Sequence, residues 1–256
     1  MTAIDLFARN TGYNVSTKYA AINTANIMAA FEAAGFVLQR VSKANVRNKA
    51  NDGVQKHLLI FRHPDFVLRG VGDVVPEIIL QNSYDGSCAF KLTLGIFRMV
   101  CANGMITGSS FESARIVHIG RNVAQTAING AFEIAAQMDV LQRRIAAMQS
   151  VQLTETQQRQ FALEACNLLL PSTAVMPDLQ SLLEVRRAGD VGNDLWTVFN
   201  RVQEAVIRGG ARYTIVTKHG TTRRASSRAV KSIDRNVGLN KALWTVAESF
   251  LQLNAA

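Results

Sequence analysis

The sequence predicts an α+β protein: a mostly antiparallel, strand-rich N-terminal half joined by hairpins, then a helical C-terminal half. Three observations predict it. Residues 36–120 carry short apolar runs separated by turn formers, with Asp85-Gly86 and Asn103-Gly104 as the sharpest turns. Apolar runs around such pairs are a strong short-range hairpin signal. From about residue 123 the apolar residues instead recur every three to four positions, the period of a helix with one buried stripe. Hydrophobic residues make up 48% of the chain and there are only four prolines, as in a globular protein. The change of period divides residues 1–121, strand-rich with an N-terminal helix, from residues 122–256, helical with a basic loop. With 256 residues the halves are expected to share one compact domain.

Taken in order, the first helix places Ile22, Ala25, Met28, Ala29, Ala30 and Phe31 on one apolar face, and Gly35 is positioned to end it. Phe36–Val41 reads as a strand. Lys56–Arg62 and Phe66–Arg69 are strands flanking a break at His63-Pro64-Asp65. Glu77–Gln81 leads into the turn cluster Asn82–Ser87, and Ala89–Val100 returns from it. Ser113–Ile119 is a further returning strand. Ile128, Phe132, Ala135, Met138, Leu141, Ile145 and Met148 then mark one long amphipathic helix. Thr154 and Gln157 are spaced as a capping box for a helix containing Phe161, Ala165, Leu168 and Leu169 and halted before Pro171. Asp178–Arg187 is a third helix, stopped by Gly189. Asn193–Arg208 is a fourth, striped by Leu195, Phe199, Val202 and Val206 and followed by Gly209-Gly210. Arg212–Lys218 is a short strand, and a last helix carries Leu243, Val246, Ala247, Phe250 and Leu251.

Composition excludes several classes. Met1–Asn10 contains Asp5 and lacks a basic start followed by an apolar run, so no secretory leader is expected. Apolar runs are too short to span a bilayer, so no membrane association is expected. Cys88, Cys101 and Cys166 are odd in number and widely spaced, which fits a reducing, cytoplasmic setting. The four histidines form no i, i+4 pair and there is no CxxC, so no metal is expected. There is no phosphate loop, no GxGxxG, no GxSxG elbow and no HExxH, so neither a cofactor nor a catalytic residue is assigned. Cys101 and His118 could meet across a hairpin as nucleophile and base, but Cys101 lies in an apolar strand and reads as a small core residue. Asp85 invites a phosphate or metal reading, yet turn chemistry accounts for every residue from Asn82 to Ser87. Arg98 sits in an apolar strand; it is either a ligand contact or a buried ion-pair member with Asp85 as partner, since an unpaired buried arginine is too costly.

Charge is the most informative feature. The net charge is +9 and it is segregated. Arg208–Lys241 holds nine bases against Asp234 alone, and Arg40–Arg62 holds six against Asp52 alone. Such a local positive field is the footprint of a polyanion partner. In Lys218–Arg228 the arginines alternate with Gly, Ser and Thr, so guanidinium, hydroxyl and backbone donors reach phosphates together. Tyr84 and Tyr213 border polar segments and are the better candidates for base stacking.

Two stretches carry a family likeness. One is Asn82–Ser87 followed by Gly95–Met105; the other is Leu195–Glu204 followed by the arginine-rich loop and Leu239–Trp244. Together they resemble the uncharacterised phage/plasmid-like protein family of prophages and conjugative plasmids, over residues 35–253. The resemblance implies a mobile-element setting and no activity, and it marks Asp85, Arg98 and Asn103 as a family-motif site. Relatives tend to carry histidine where Tyr84 stands, so chemistry resting on that histidine is absent here.

The expected function is non-catalytic DNA binding, single strands favoured, as in annealing during recombination or replication. The expected contacts are Arg212, Lys218, Arg223, Arg224, Arg228, Lys231 and Arg235, with Lys43, Arg47 and Lys49 as a second group. A homo-oligomer is compatible with this. Two alternatives stay open: a counter-defence or regulatory protein that binds a host protein, and a hydrolase built around Asp85 and Arg98.

Overall fold

The computed structural model describes residues 22–46, 52–66, 74–98, 103–106, 123–170, 175–216 and 219–254. The chain forms two compact units, Met1–Met99 with Gly104–Asp139, and Val100–Asn103 with Val140–Ala256. The arrangement is α+β, as the sequence predicts.

The first unit contains α1 (Thr24–Ala33), β1 (Val37–Lys43), β2 (His57–Arg62), β3 (Val74–Asn82), β4 (Lys91–Arg98), β5 (Asn103–Ile106) and α2 (Val123–Ala135). The strands form one sheet in the order β1-β2-β3-β4-β5, antiparallel from β1 to β4. The register aligns Leu59 with Leu80 and Leu80 with Leu92, and Phe61 with Ile78 and Ile78 with Leu94. Side chains two apart share a face, so these residues form one apolar surface. Phe31 of α1 packs on it, its ring centroid 4.9 Å from that of Phe61. The reverse face buries Leu58, Ile60 and Ile79 as well. Strands covered on both sides read as continuous apolar runs, and that is how β2 and β3 read.

Proline in a central strand normally costs a ladder bond. Pro76 is tolerated because β2 pairs with β3 only as far as Ile78, leaving β3 locally an edge at Pro76. The strand therefore starts at Val74, three residues before its expected start. At the end of α1, Phe36 N–H bonds Phe31 O at 2.9 Å across Gly35, whose φ is +90°. A Cβ at Gly35 would stand 2.7 Å from His63 Nε2, which donates to Ala34 O at 3.1 Å, so glycine serves both the turn and the close approach.

The second unit contains α3 (Met138–Ser150), α4 (Glu155–Leu169), β6 (Val175–Pro177), α5 (Gln180–Leu183), α6 (Leu195–Arg208), β7 (Arg212–Val216), β8 (Thr222–Ser226) and α7 (Ile233–Leu253). The expected long helix is thus two helices, α2 and α3. Gln137 N–H turns back to Ile134 O, three residues away, and breaks the helix at Ala136-Gln137. The apolar stripe runs across the break, so its period hides it.

Helix α6 is the axis of this unit: every residue from Leu195 to Val206 is buried. Its Phe199 meets Trp244 of α7 at 6.0 Å, and Phe161 of α4 meets Phe250 of α7 at 5.2 Å. Several polar groups of α6 are matched, although Asn200 Oδ1 and Arg201 Nε are buried without a partner among the described residues. Arg201 donates to Gly192 O at 2.8 Å, and Glu204 pairs with Arg187 at 2.6 Å. Thr154 and Gln157 form the expected capping box of α4. Helices α4 and α7 are clamped at both ends: Arg235 donates to Leu169 O at 2.9 Å, and Gln157 to Asn254 Oδ1 at 2.8 Å. The expected helix over Asp178–Arg187 is only the four residues of α5. Among the described residues no helix is long and apolar enough to cross a membrane.

Candidate nucleic-acid interface

The basic segment is not a loop. Thr222–Ser226 is β8, paired antiparallel with β7 as Thr214↔Arg224, Ile215↔Arg223 and Val216↔Thr222. Strand β6 pairs on the other side of β7, so β8 is the edge of a three-stranded sheet. Two glycines root this ribbon to the end of α6. Gly209 has φ +90°, and a Cβ there would lie 2.7 Å from Ser227 O and 2.8 Å from Ala229 N. Gly210 N–H donates to Ser227 O at 3.0 Å, and Ala211 and Ser227 continue the bridge. Gly220, φ +76°, stands in open space at the tip. No residue of β7 or β8 is buried.

The cations fall into two groups. Arg223, Arg224, Arg228 and Lys231 are exposed, and their side chains make no ion pair or hydrogen bond among the described residues. Arg212 is engaged: its Nε meets Asp178 Oδ2 at 3.0 Å and its Nη1 meets Glu184 Oε1 at 3.6 Å. The Asp178 hydrogen bond, then the Glu184 charge, push the Arg212 pKa above its ordinary value. Arg235 is engaged too, through Leu169 O. Lys218 lies outside the described residues. Beside Arg212 and Arg224 the surface forms a cleft of about 530 Å³, with Asp178, Thr214 and Ser226 on its walls.

The second basic group belongs to the first unit. Lys43 ends β1 and pairs with Asp52 Oδ1 at 3.0 Å; Arg47 and Lys49 lie outside the described residues. Hydrogen bonds from Gln55 and then Lys43 hold the Asp52 carboxyl below its usual pKa.

The turn at Asp85 is explained by its own geometry. Asp85 Oδ1 accepts from Ser87 N–H at 2.9 Å, and Gly86 has φ +72°. Asp85 follows β3 at the Lys91 end of β4, whereas Arg98 pairs with Val74 at the other end. The strand between Lys91 and Arg98 spans about 23 Å, so the expected Asp85–Arg98 ion pair is ruled out. Arg98 and Asn103 share the far end of the sheet, as the last residue of β4 and the first of β5; their side chains, and residues Cys101 and His118, lie outside what is described. Tyr84 is not a stacking platform. It is 0% exposed, and its Oη accepts from Thr24 N–H at 3.0 Å. Tyr213 is half-buried on β7.

A buried polar knot around Tyr84 had no signal in the sequence. Gln55 O lies 3.0 Å from His57 Nδ1 and can only accept, so Nδ1 carries the proton. Nε2 then accepts from Thr24 Oγ1 at 2.7 Å, and Thr24 Oγ1 accepts from Asn82 Nδ2 at 2.9 Å. Burial pushes the His57 pKa down, which favours the neutral ring. This knot ties α1 to β2 and β3, which is a structural task. A second cavity in the first unit, about 340 Å³, is walled by Val37, Phe66 and Pro76. Its Arg62 is committed to Glu77, which leaves the ribbon as the more basic surface.

The family model described as a domain of unknown function, DUF932, matches residues 13–244. Two Escherichia coli K12 proteins, UPF0380 protein YafZ and UPF0380 protein YfjQ, are each 33% identical over 246 residues, covering 96% of this chain and 87% of the relative. No solved structure matches.

Proposed function

We propose, on the premise that this chain belongs to the DUF932 family, that it binds nucleic acid and does no chemistry on it. One observation carries the reading: Arg223, Arg224, Arg228 and Lys231 stand exposed and unpaired among the described residues, on and just after a solvent-covered ribbon. Idle arginines on a rooted strand are donors waiting for phosphate oxygens, whereas Arg212 and Arg235 are already spent. The resemblance to phage and plasmid proteins supports a role in the replication or recombination of a mobile element, in the cytoplasm.

The test is a fluorescence-anisotropy titration of nuclease-treated protein against labelled DNA at several salt concentrations. Four neutralised phosphates predict a log–log salt slope of about −3 to −4. The double variant Arg223→Ala/Arg224→Ala should lose about half of that slope. Weak binding that ignores salt and is unchanged in the variant would sink the proposal.

A second reading has one specific observation behind it. Among the described residues strand β8 has an unpaired outer edge, which an extended acidic segment of a host protein could join as a further strand. Capture of a stoichiometric partner after nuclease treatment, lost in the same variant, would select it.

A further inference from the structure

Arg223 and Arg224 are adjacent in a strand, so they project from opposite faces of the sheet. By register Arg224 shares its face with Arg212, Thr214 and Ser226, and Arg223 shares the other with Tyr213, Ile215 and Ala225. Neither face of the β7–β8 ribbon is buried, and β8 is its free edge. A partner that touches only one face leaves one arginine unused. A partner that flanks the ribbon uses both, and a duplex groove has two phosphate walls.

Size selects the groove. A β-layer with its side chains is about 10 Å thick. The major groove is about 12 Å wide and the minor groove about 6 Å. Helix α6 is no rival for that groove, because it is buried from Leu195 to Val206.

We infer that the ribbon enters the major groove of duplex nucleic acid edge first, β8 leading, with Arg223 and Arg224 on the phosphates of opposite strands. This rests on the nucleic-acid reading above and deepens it, moving the preferred partner from single strands to duplex. Thr222 and Ser226 lie along the same leading edge as further donors.

The test uses the full chain, the single variants Arg223→Ala and Arg224→Ala, and single- and double-stranded DNA probes of equal phosphate number. Both positions are exposed, and circular dichroism checks that the variants fold. The expected result is tighter binding to duplex, a loss of about tenfold in each single variant, and a salt slope smaller by about 1 in each. Methyl green, a major-groove ligand, should displace the protein, and the minor-groove ligand netropsin should not. Equal or tighter binding to single strands, one arginine carrying the whole effect, or displacement by netropsin overturns the groove geometry while salt-sensitive binding keeps the broader reading. Weak binding to both probes, indifferent to salt, overturns both.

Discussion

Arg62 in the five-stranded sheet and the Arg223-Arg224 pair in the three-stranded sheet are used in opposite ways. In the five-stranded sheet Arg62 is turned toward Glu77, which is 3% exposed, and the pair sits at 2.8 Å. In the three-stranded sheet Arg223 and Arg224 face water with no partner among the described residues. The inner strands β2 and β3 of the first sheet are covered on both faces and hold their unit together; β7 and β8 of the second are covered on neither and contribute little to a core. A charged residue says which task its strand performs only after its partner is known.

That contrast can be broken most severely at the centre of the large sheet. Leu80→Ala removes a side chain that is 0% exposed and should cost about 3 kcal/mol, read by urea unfolding. Ile215→Ala on the half-buried ribbon should cost under about 1 kcal/mol. Equal losses would mean the ribbon is core after all.

Arg62→Ala should cost about 3 kcal/mol near neutral pH, because it strands the Glu77 carboxylate in a buried site. Burial already pushes the Glu77 pKa up, against the opposing pull of Arg62. A carboxyl with a raised folded pKa takes its proton more readily in the fold than in the unfolded chain. Its ionisation therefore lowers stability as pH rises through the folded pKa. The penalty of the variant relative to wild type should shrink in acid, once Glu77 is neutral; a penalty independent of pH would show that the pair is not the cause.

A smaller effect is expected at His57. Its folded pKa is depressed below 6.5, so the ring stays neutral while the unfolded chain takes up a proton. Stability from this residue is complete above that value and falls as the pH drops below it, until the folded ring itself protonates. Melting temperature should fall as the pH drops below about 6.5, and His57→Gln should flatten that fall. The smallest change in stability belongs to Arg224→Ala, within about 0.5 kcal/mol, although its effect on binding is expected to be large.

Much of the scaffold was legible because its signals are local. The Asp85-Gly86 turn, the Thr154–Gln157 capping box and the stripe on α6 each lie within a few residues. Strand β8 was not legible: Thr-Arg-Arg-Ala-Ser has no apolar alternation, and its strand state comes from pairing with β7. The helix expected over Asp178–Arg187 is cut short where tertiary partners compete. Asp178 and Glu184 are drawn to Arg212, and Ser181 Oγ takes the Arg212 N–H at 2.8 Å. The candidate site shows the same limit. Composition located the basic segment, but the partners that occupy Arg212 and Arg235 lie 34 and 66 residues away in sequence. Nothing near either residue reveals that it is spent.

The clamps between α4 and α7 have a consequence for how the chain is made. They join residues 97 and 66 positions apart, and Trp244 and Phe250 complete the packing around Phe161 and Phe199. While a ribosome is still adding residues before α7, Phe161 and Phe199 have each other and Trp196 but lack the cover that the last helix supplies. At about 5–20 residues per second, the interval from Phe161 to Phe250 lasts several seconds. During it Phe161 and Phe199 lack the rings of α7, and a slowed ribosome lengthens that exposure.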